Sequence, residues 1–342
     1  MPHTPYSHSR FKSVLRLGGA IVLATAMAGS AFAADAPQPT APHQTPQDLV
    51  NALHSAFGEH HARAVHAKGT ILEGTFTATK AAAGLSKDAI FSGATLPVTA
   101  RFSDFTGIPD IPDNIGDANP RGFAFKIKTK DGAAVDVVAH SFNGFPVATS
   151  DEFAVFLKDV GASGPGVAHP TPIEQFLGTH PIAKTFLTTQ KPPPVSYATT
   201  AFFGVNSFKY TNAKDASVYV RYRFVPQAGE HYLTPEMLKT KGANYLQEEI
   251  AKRVAKAPVM FDWYAQIAEK GDKIEDPSIA WPESRKLIKL GTITITKLAA
   301  DPAAADKQTL FLPGEAHPGI EAADPMLTLR NDAYPISFKD RQ

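Results

Sequence analysis

Apolar residues recur in two distinct rhythms along the chain. Behind Thr45-Pro-Gln-Asp48, Leu49, Leu53 and Phe57 return at four-residue intervals, so a capping sequence followed by an apolar stripe predicts a helix over 46–57, ended by Gly58. The middle of the chain changes period. Runs at 96–103, 121–129, 134–140, 197–210, 218–226 and 290–298 read as strands, separated by Asp, Gly and Pro turns, with Lys130-Asp131-Gly132 as a hairpin signal. Residues 151–160 read as helix. Thr234 caps a helical stretch to about Lys256 that breaks at Gly242, and 299–307 reads as loop or linker. Asp324 and Pro325 open a last amphipathic helix that reaches Arg341. Antiparallel strands flanked by helices predict an α+β domain built on a closed or nearly closed β-barrel.

The first 33 residues follow other rules. Arg10, Lys12 and Arg16 precede an apolar run at 17–27 and the small-residue site Ala31-Phe32-Ala33, the pattern of a cleaved secretory signal peptide. Residues 34–45 form a Pro/Ala/Gln linker, leaving 46–342 as one domain. The expectation is a periplasmic or secreted protein that leaves the membrane after cleavage. Loss of three cationic and no acidic side chains takes the formal charge from +1 to −2, which gives no basic face for nucleic acid. The chain has no cysteine, so disulfides, thiolate metal sites and c-type haem attachment are excluded. Any metal must be held by His, Tyr or carboxylates.

Two stretches carry candidate chemistry. Arg330 and Tyr334 are four apart on the last helix and can touch. A cation beside a phenol favours the phenolate, a hard ligand for ferric iron, although an ordinary surface Arg–Tyr pair has the same spacing. His54, His60, His61 and His66 cluster without any zinc spacing, and a solvated helix end accounts for His60 and His61. Arg63 and His66 differ, being three apart and followed by Gly69, where the chain can turn into a strand.

Five segments together resemble the catalase superfamily, in its small catalase-related peroxidase branch. Arg63-Ala-Val-His66-Ala-Lys-Gly69 is similar to the distal-haem segment, and Val98-Thr-Ala-Arg101-Phe-Ser103 to the arginine–serine strand. Arg121-Gly-Phe-Ala-Phe-Lys126 with Asp136-Val137-Val138 resembles the next hairpin, and Asn143-Gly-Phe-Pro146-Val147 the distal asparagine segment. Pro318-Gly-Ile-Glu321, Arg330-x-x-x-Tyr334-Pro and Arg341 match the proximal helix in order and spacing.

The resemblance implies an antiparallel catalase-type barrel with flanking helices, here without the catalase C-terminal helical domain, and a haem, b-type, ligated by Tyr334 with Arg330 beside it. His66 would be the acid–base group, Ser103 its orienting partner and Asn143 the peroxide hydrogen-bond donor. Arg63, Arg101 and Arg341 would hold propionates, and Phe153 would pack on the distal face or serve plain core packing. The implied reaction is reduction of hydrogen or organic peroxide with a small organic electron donor, by a monomer or small homo-oligomer. A haem carrier without turnover and a catalase-type dismutase are the alternatives. The histidine that catalases carry between the tyrosine and the last arginine is missing from Ile336-Ser-Phe-Lys-Asp340, which weighs against pure dismutation.

Overall fold

The computed structural model describes residues 43–130 and 132–342. The expected signal peptide, most of the linker and Asp131 of the hairpin turn lie outside the described residues. Strands β1 (Gly69–Ala78), β2 (Thr95–Ser103), β3 (Gly122–Lys128), β4 (Ala134–His140), β5 (Phe202–Thr211), β6 (Ser217–Pro226), β7 (Val259–Ile267) and β8 (Leu287–Leu298) form one antiparallel sheet. Its order is β4-β3-β2-β1-β8-β7-β6-β5, and pairing of β4 with β5 at His140↔Phe203 closes it into the expected barrel. A short β9 (Ile320–Ala322) adds to the far side of β5.

Period-two alternation turns one side of every strand inward, and here much of that side is aromatic, with β4 and β8 supplying aliphatic residues. Phe76, Phe102, Phe123, Phe125, Phe202, Phe224, Phe261 and Trp263 are all essentially inaccessible. Their rings meet at offset or edge-on angles, as between Phe123 and Phe224 at 5.6 Å and 88°. Each such burial stabilises the barrel by about 1.5–3 kcal/mol.

A second apolar cluster sits outside the barrel, where helices α1 (Pro46–Phe57), α2 (Ser150–Gly161), α3 (Pro172–Thr179) and α4 (Pro181–Thr188) pack together. The capping box at Thr45 is present, with Asp48 accepting from the Thr45 N–H at 3.0 Å. The helical stretch behind Thr234 is split as its glycine suggested, into α5 (Pro235–Lys239) and α6 (Tyr245–Val254).

Helices α3 and α4 and the short β9 were not expected, and four further features depart from the sequence reading. Residues 197–199 form a 3₁₀ turn, and β5 starts only at Phe202. β7 was not expected, because apolar Met260 and Tyr264 on its outer side blur the alternation. The segment read as loop at 299–307 contains helix α7 (Pro302–Gln308), whose N-terminus is capped by the Asp301 carboxylate on the Ala304 N–H. The last helix, α8 (Pro325–Asp340), begins at Asp324 as expected but is not simply apolar inside and polar outside. Its inward side carries Arg330, Tyr334 and Ser337, which face a cavity instead of a packed core.

Candidate active site

The cavity lies between the outer face of the barrel, α1 and α8. One row of the sheet, Ser103↔Gly122↔His140↔Phe203, crosses four strands in register and lines it. Directly opposed residues in an antiparallel ladder point to the same face, so a single row presents four side-chain positions to the cavity. Val65, Phe105, Phe145, Phe153 and Phe186 supply much of its apolar wall.

His66 enters from the loop before β1. Its backbone sits at φ 56°, the left-handed region that histidine tolerates better than most residues, at a cost of order 1–3 kcal/mol. The bond from its N–H to Phe105 O at 2.9 Å holds the chain there. Ser103 Oγ lies 3.1 Å from Nδ1, which fixes the ring by one nitrogen and leaves Nε2 free. Gly122 is required beside it, since a Cβ would collide with Ser103 Oγ and lie 2.7 Å from His66 Nδ1. Burial first, and then the charges of Arg101 and Arg330 with His140 nearby, push the imidazole pKa well below its ordinary value. His66 is therefore neutral at physiological pH and able to accept a proton.

Tyr334 reaches the same cavity from α8. Arg330 Nη2 donates to its hydroxyl oxygen at 2.7 Å, and Arg330 Nη1 donates to Asn206 Oδ1 at 2.9 Å. Asn206 in turn donates to Asp324 Oδ2 at 2.6 Å. The residue that caps the helix thus orients, through one amide, the arginine that holds the tyrosine.

Three further guanidinium groups gather at one end. Arg63 and Arg101 both bind Asp306 of α7, Arg101 by paired bonds of 2.6 and 2.9 Å. Arg341 donates to Thr309 O at 2.7 Å, and its buried Nε has no partner among the described residues. Burial, followed by the charge of Arg101, lowers Arg63 to about 9. Burial alone would raise the Asp306 carboxyl, but the charges and hydrogen bonds of Arg101 and Arg63 outweigh it and hold it below the usual range. Asp306→Asn should therefore lower the stability of ligand-free protein by about 3–5 kcal/mol, because it strands buried cations. A carboxyl with a depressed folded-state pKa stabilises above its unfolded value, so the difference should be full at neutral pH. It should shrink as pH falls below about 4. Denaturant midpoints at both pH values check this, and an unchanged midpoint at pH 7 contradicts it.

The structure brings His66, Ser103, Arg63, Arg101, Phe153, Arg330, Tyr334 and Arg341 to one cavity. Asn143 is not among the residues lining it, which corrects its expected place. It lies three residues beyond the end of β4, on the side of Glu283, whose carboxyl it helps to hold below its ordinary pKa after the larger effect of Arg223. The polar residue of β4 that lines the cavity is His140. Strand periodicity is the signal that could have found it, since His140 shares a face with Val138, another lining residue. Asp306 was also missed, hidden in the supposed loop. His60 is used locally, its Nε2 bonded to Phe57 O at 2.8 Å, and no cluster of three metal-ligating side chains exists among the described residues.

A protein-family model described as Catalase matches residues 54–341. The chain belongs to the catalase family. It is 33% identical to a catalase-related peroxidase of Synechococcus elongatus over 87% of this chain and 88% of that protein. A catalase-related peroxidase of Mycolicibacterium paratuberculosis is 36% identical over 87% of this chain and 95% of its own length. The fold agrees with that of a fungal catalase at a TM-score of 0.72 and 21% identity, covering 91% of this chain and 66% of that one. Catalase A from Saccharomyces cerevisiae gives the same score at 20% identity.

The catalase family implies a haem, and the residues present fit one. Arg63, Arg101 and Arg341 carry three positive charges against the single carboxylate of Asp306, leaving two, the charge of two propionates. The unpartnered Arg341 Nε offers a further donor, and the apolar wall suits a porphyrin face.

Proposed function

We propose that this protein is an exported haem peroxidase that reduces hydrogen peroxide or an organic peroxide while oxidising a small organic donor. As a member of the catalase family the chain is an oxidoreductase acting on peroxide, and its relatives named catalase-related peroxidase favour the donor-oxidising form. One observation carries the reading. A single apolar cavity joins an arginine-clamped tyrosine, a half-buried neutral histidine on a serine, and a surplus of guanidinium charge.

Tyr334 would ligate the iron, with Arg330 fixing the phenolic oxygen from its other side. Arg63, Arg101 and Arg341 would hold the propionates, and Phe153 would pack beside the ring. The haem would be b-type, and c-type attachment is ruled out because the chain has no cysteine. When bound, it supplies the metal and redox equivalents for cleaving the peroxide O–O bond. His66 would take the peroxide proton at Nε2 and return it to the departing oxygen, a transfer open only to a neutral imidazole. Ser103 keeps Nδ1 engaged and the ring aimed. The phenylalanines around the histidine give it apolar surroundings that limit contact with bulk water and keep the imidazole the nearest proton acceptor.

Protein made under haem-replete conditions should carry about one haem per chain with the absorption of tyrosine-ligated ferric iron. A soluble, folded protein that takes up none rejects the reading. The export part has its own check: intact-mass analysis should find a mature chain starting near Ala34, and retained Met1 counts against it.

A further inference from the structure

His140 closes the barrel against Phe203, and its place in the row Ser103↔Gly122↔His140 sets it on the face that carries His66. Its Nδ1 accepts the N–H of Phe142 at 3.3 Å, which leaves the ring proton on Nε2. That nitrogen is shielded from solvent and has no hydrogen-bond partner among the described residues. Phe145 and Phe186 stand around the ring, each with its centroid 6.4 Å away. Burial first, then the charge of Arg330, lowers the imidazole pKa to about 3, so the ring stays neutral. A buried N–H is almost always paired, and the exceptions gather where a ligand completes them.

We propose that His140 is the peroxide-binding donor of this site, its Nε2–H donating to a peroxide oxygen held beside His66. The assignment rests on the peroxidase reading above and gives His140 the part that the sequence reading had given to Asn143. The division of labour follows from the two rings. His66 has Nδ1 on Ser103 and a free Nε2 to take a proton, whereas His140 has its acceptor nitrogen occupied and can only donate. One ring moves the proton and the other orients the substrate.

Fluoride is the probe, a small anion that accepts hydrogen bonds and needs no turnover. Wild-type haem-loaded protein, His140→Leu, His140→Asn and Asn143→Ala are titrated with fluoride by absorbance, and their reaction with hydrogen peroxide is followed by stopped flow. His140→Leu should bind fluoride about tenfold more weakly and react with peroxide roughly 10²-fold more slowly, the scale of losing one preorganised donor. His140→Asn, which restores an N–H donor, should recover most of both, and Asn143→Ala should leave the fluoride affinity unchanged. Haem content should be equal throughout. Unchanged affinity and rate in His140→Leu overturn the proposal, as does a loss confined to Asn143→Ala. Loss of haem or folding in both His140 variants also overturns it, in favour of a barrel-closing role. Wild-type protein that takes up no haem fails the underlying reading and takes this proposal with it.

Discussion

Replacing Tyr334 by phenylalanine should strip the protein of most of its haem while leaving the fold intact. The substitution removes one oxygen, keeps the ring in place on α8, and leaves the capping of that helix by Asp324 untouched. If Tyr334 is the ligand, the iron would lack its anionic donor, and the Arg330 guanidinium loses its acceptor at 2.7 Å and keeps only Asn206. The affinity for haem should fall at least tenfold, about 1.4 kcal/mol, with the residue held by propionate contacts alone. Haem quantified against protein, together with the absorption spectrum, reads this directly. An intact spectrum in the variant means that some other side chain holds the iron.

His66→Ala should behave in the opposite way, with haem retained and chemistry lost. The imidazole contributes a proton acceptor and no haem ligand in this account, so reaction with peroxide should slow by ~10²–10⁴, the span of a positioned acid–base group. Alanine keeps the Cβ at a left-handed position that histidine tolerates better, so a modest loss of folding stability is expected, well short of unfolding. Stopped-flow rates and haem content separate the outcomes. A histidine that merely filled the core predicts loss of folding and activity together. A haem carrier predicts no rate to lose.

The barrel and both ends of the site were legible in the sequence for physical reasons. Strands with polar residues on one side and phenylalanine on the other declare their period, and Asp324-Pro325 declares the start of α8. Arg330 and Tyr334 are close because helical geometry puts i and i+4 together, whatever the rest of the fold does. Across strands the sequence is less explicit, because register is a property of pairs. Asn143 is the more obvious hydrogen-bonding amide, yet it lies past the end of β4, and only the pairing of Gly122 with His140 shows which residue faces His66. Asp306 was invisible for a related reason. Ala303-Ala304-Ala305 carries no amphipathic pattern, so α7 does not announce itself, and the carboxylate meets Arg63 and Arg101 from more than 200 positions away.

The most direct test of the whole account is one rapid-mixing experiment on haem-loaded wild-type protein, with hydrogen peroxide added in the presence and absence of a phenolic donor and dissolved oxygen recorded alongside. The account predicts a fast spectral change on adding peroxide, return to the resting spectrum at the expense of the donor, and donor oxidation that exceeds oxygen release. Vigorous oxygen release unaffected by the donor would make the protein a dismutase, and a spectrum that peroxide leaves unchanged would contradict the account outright.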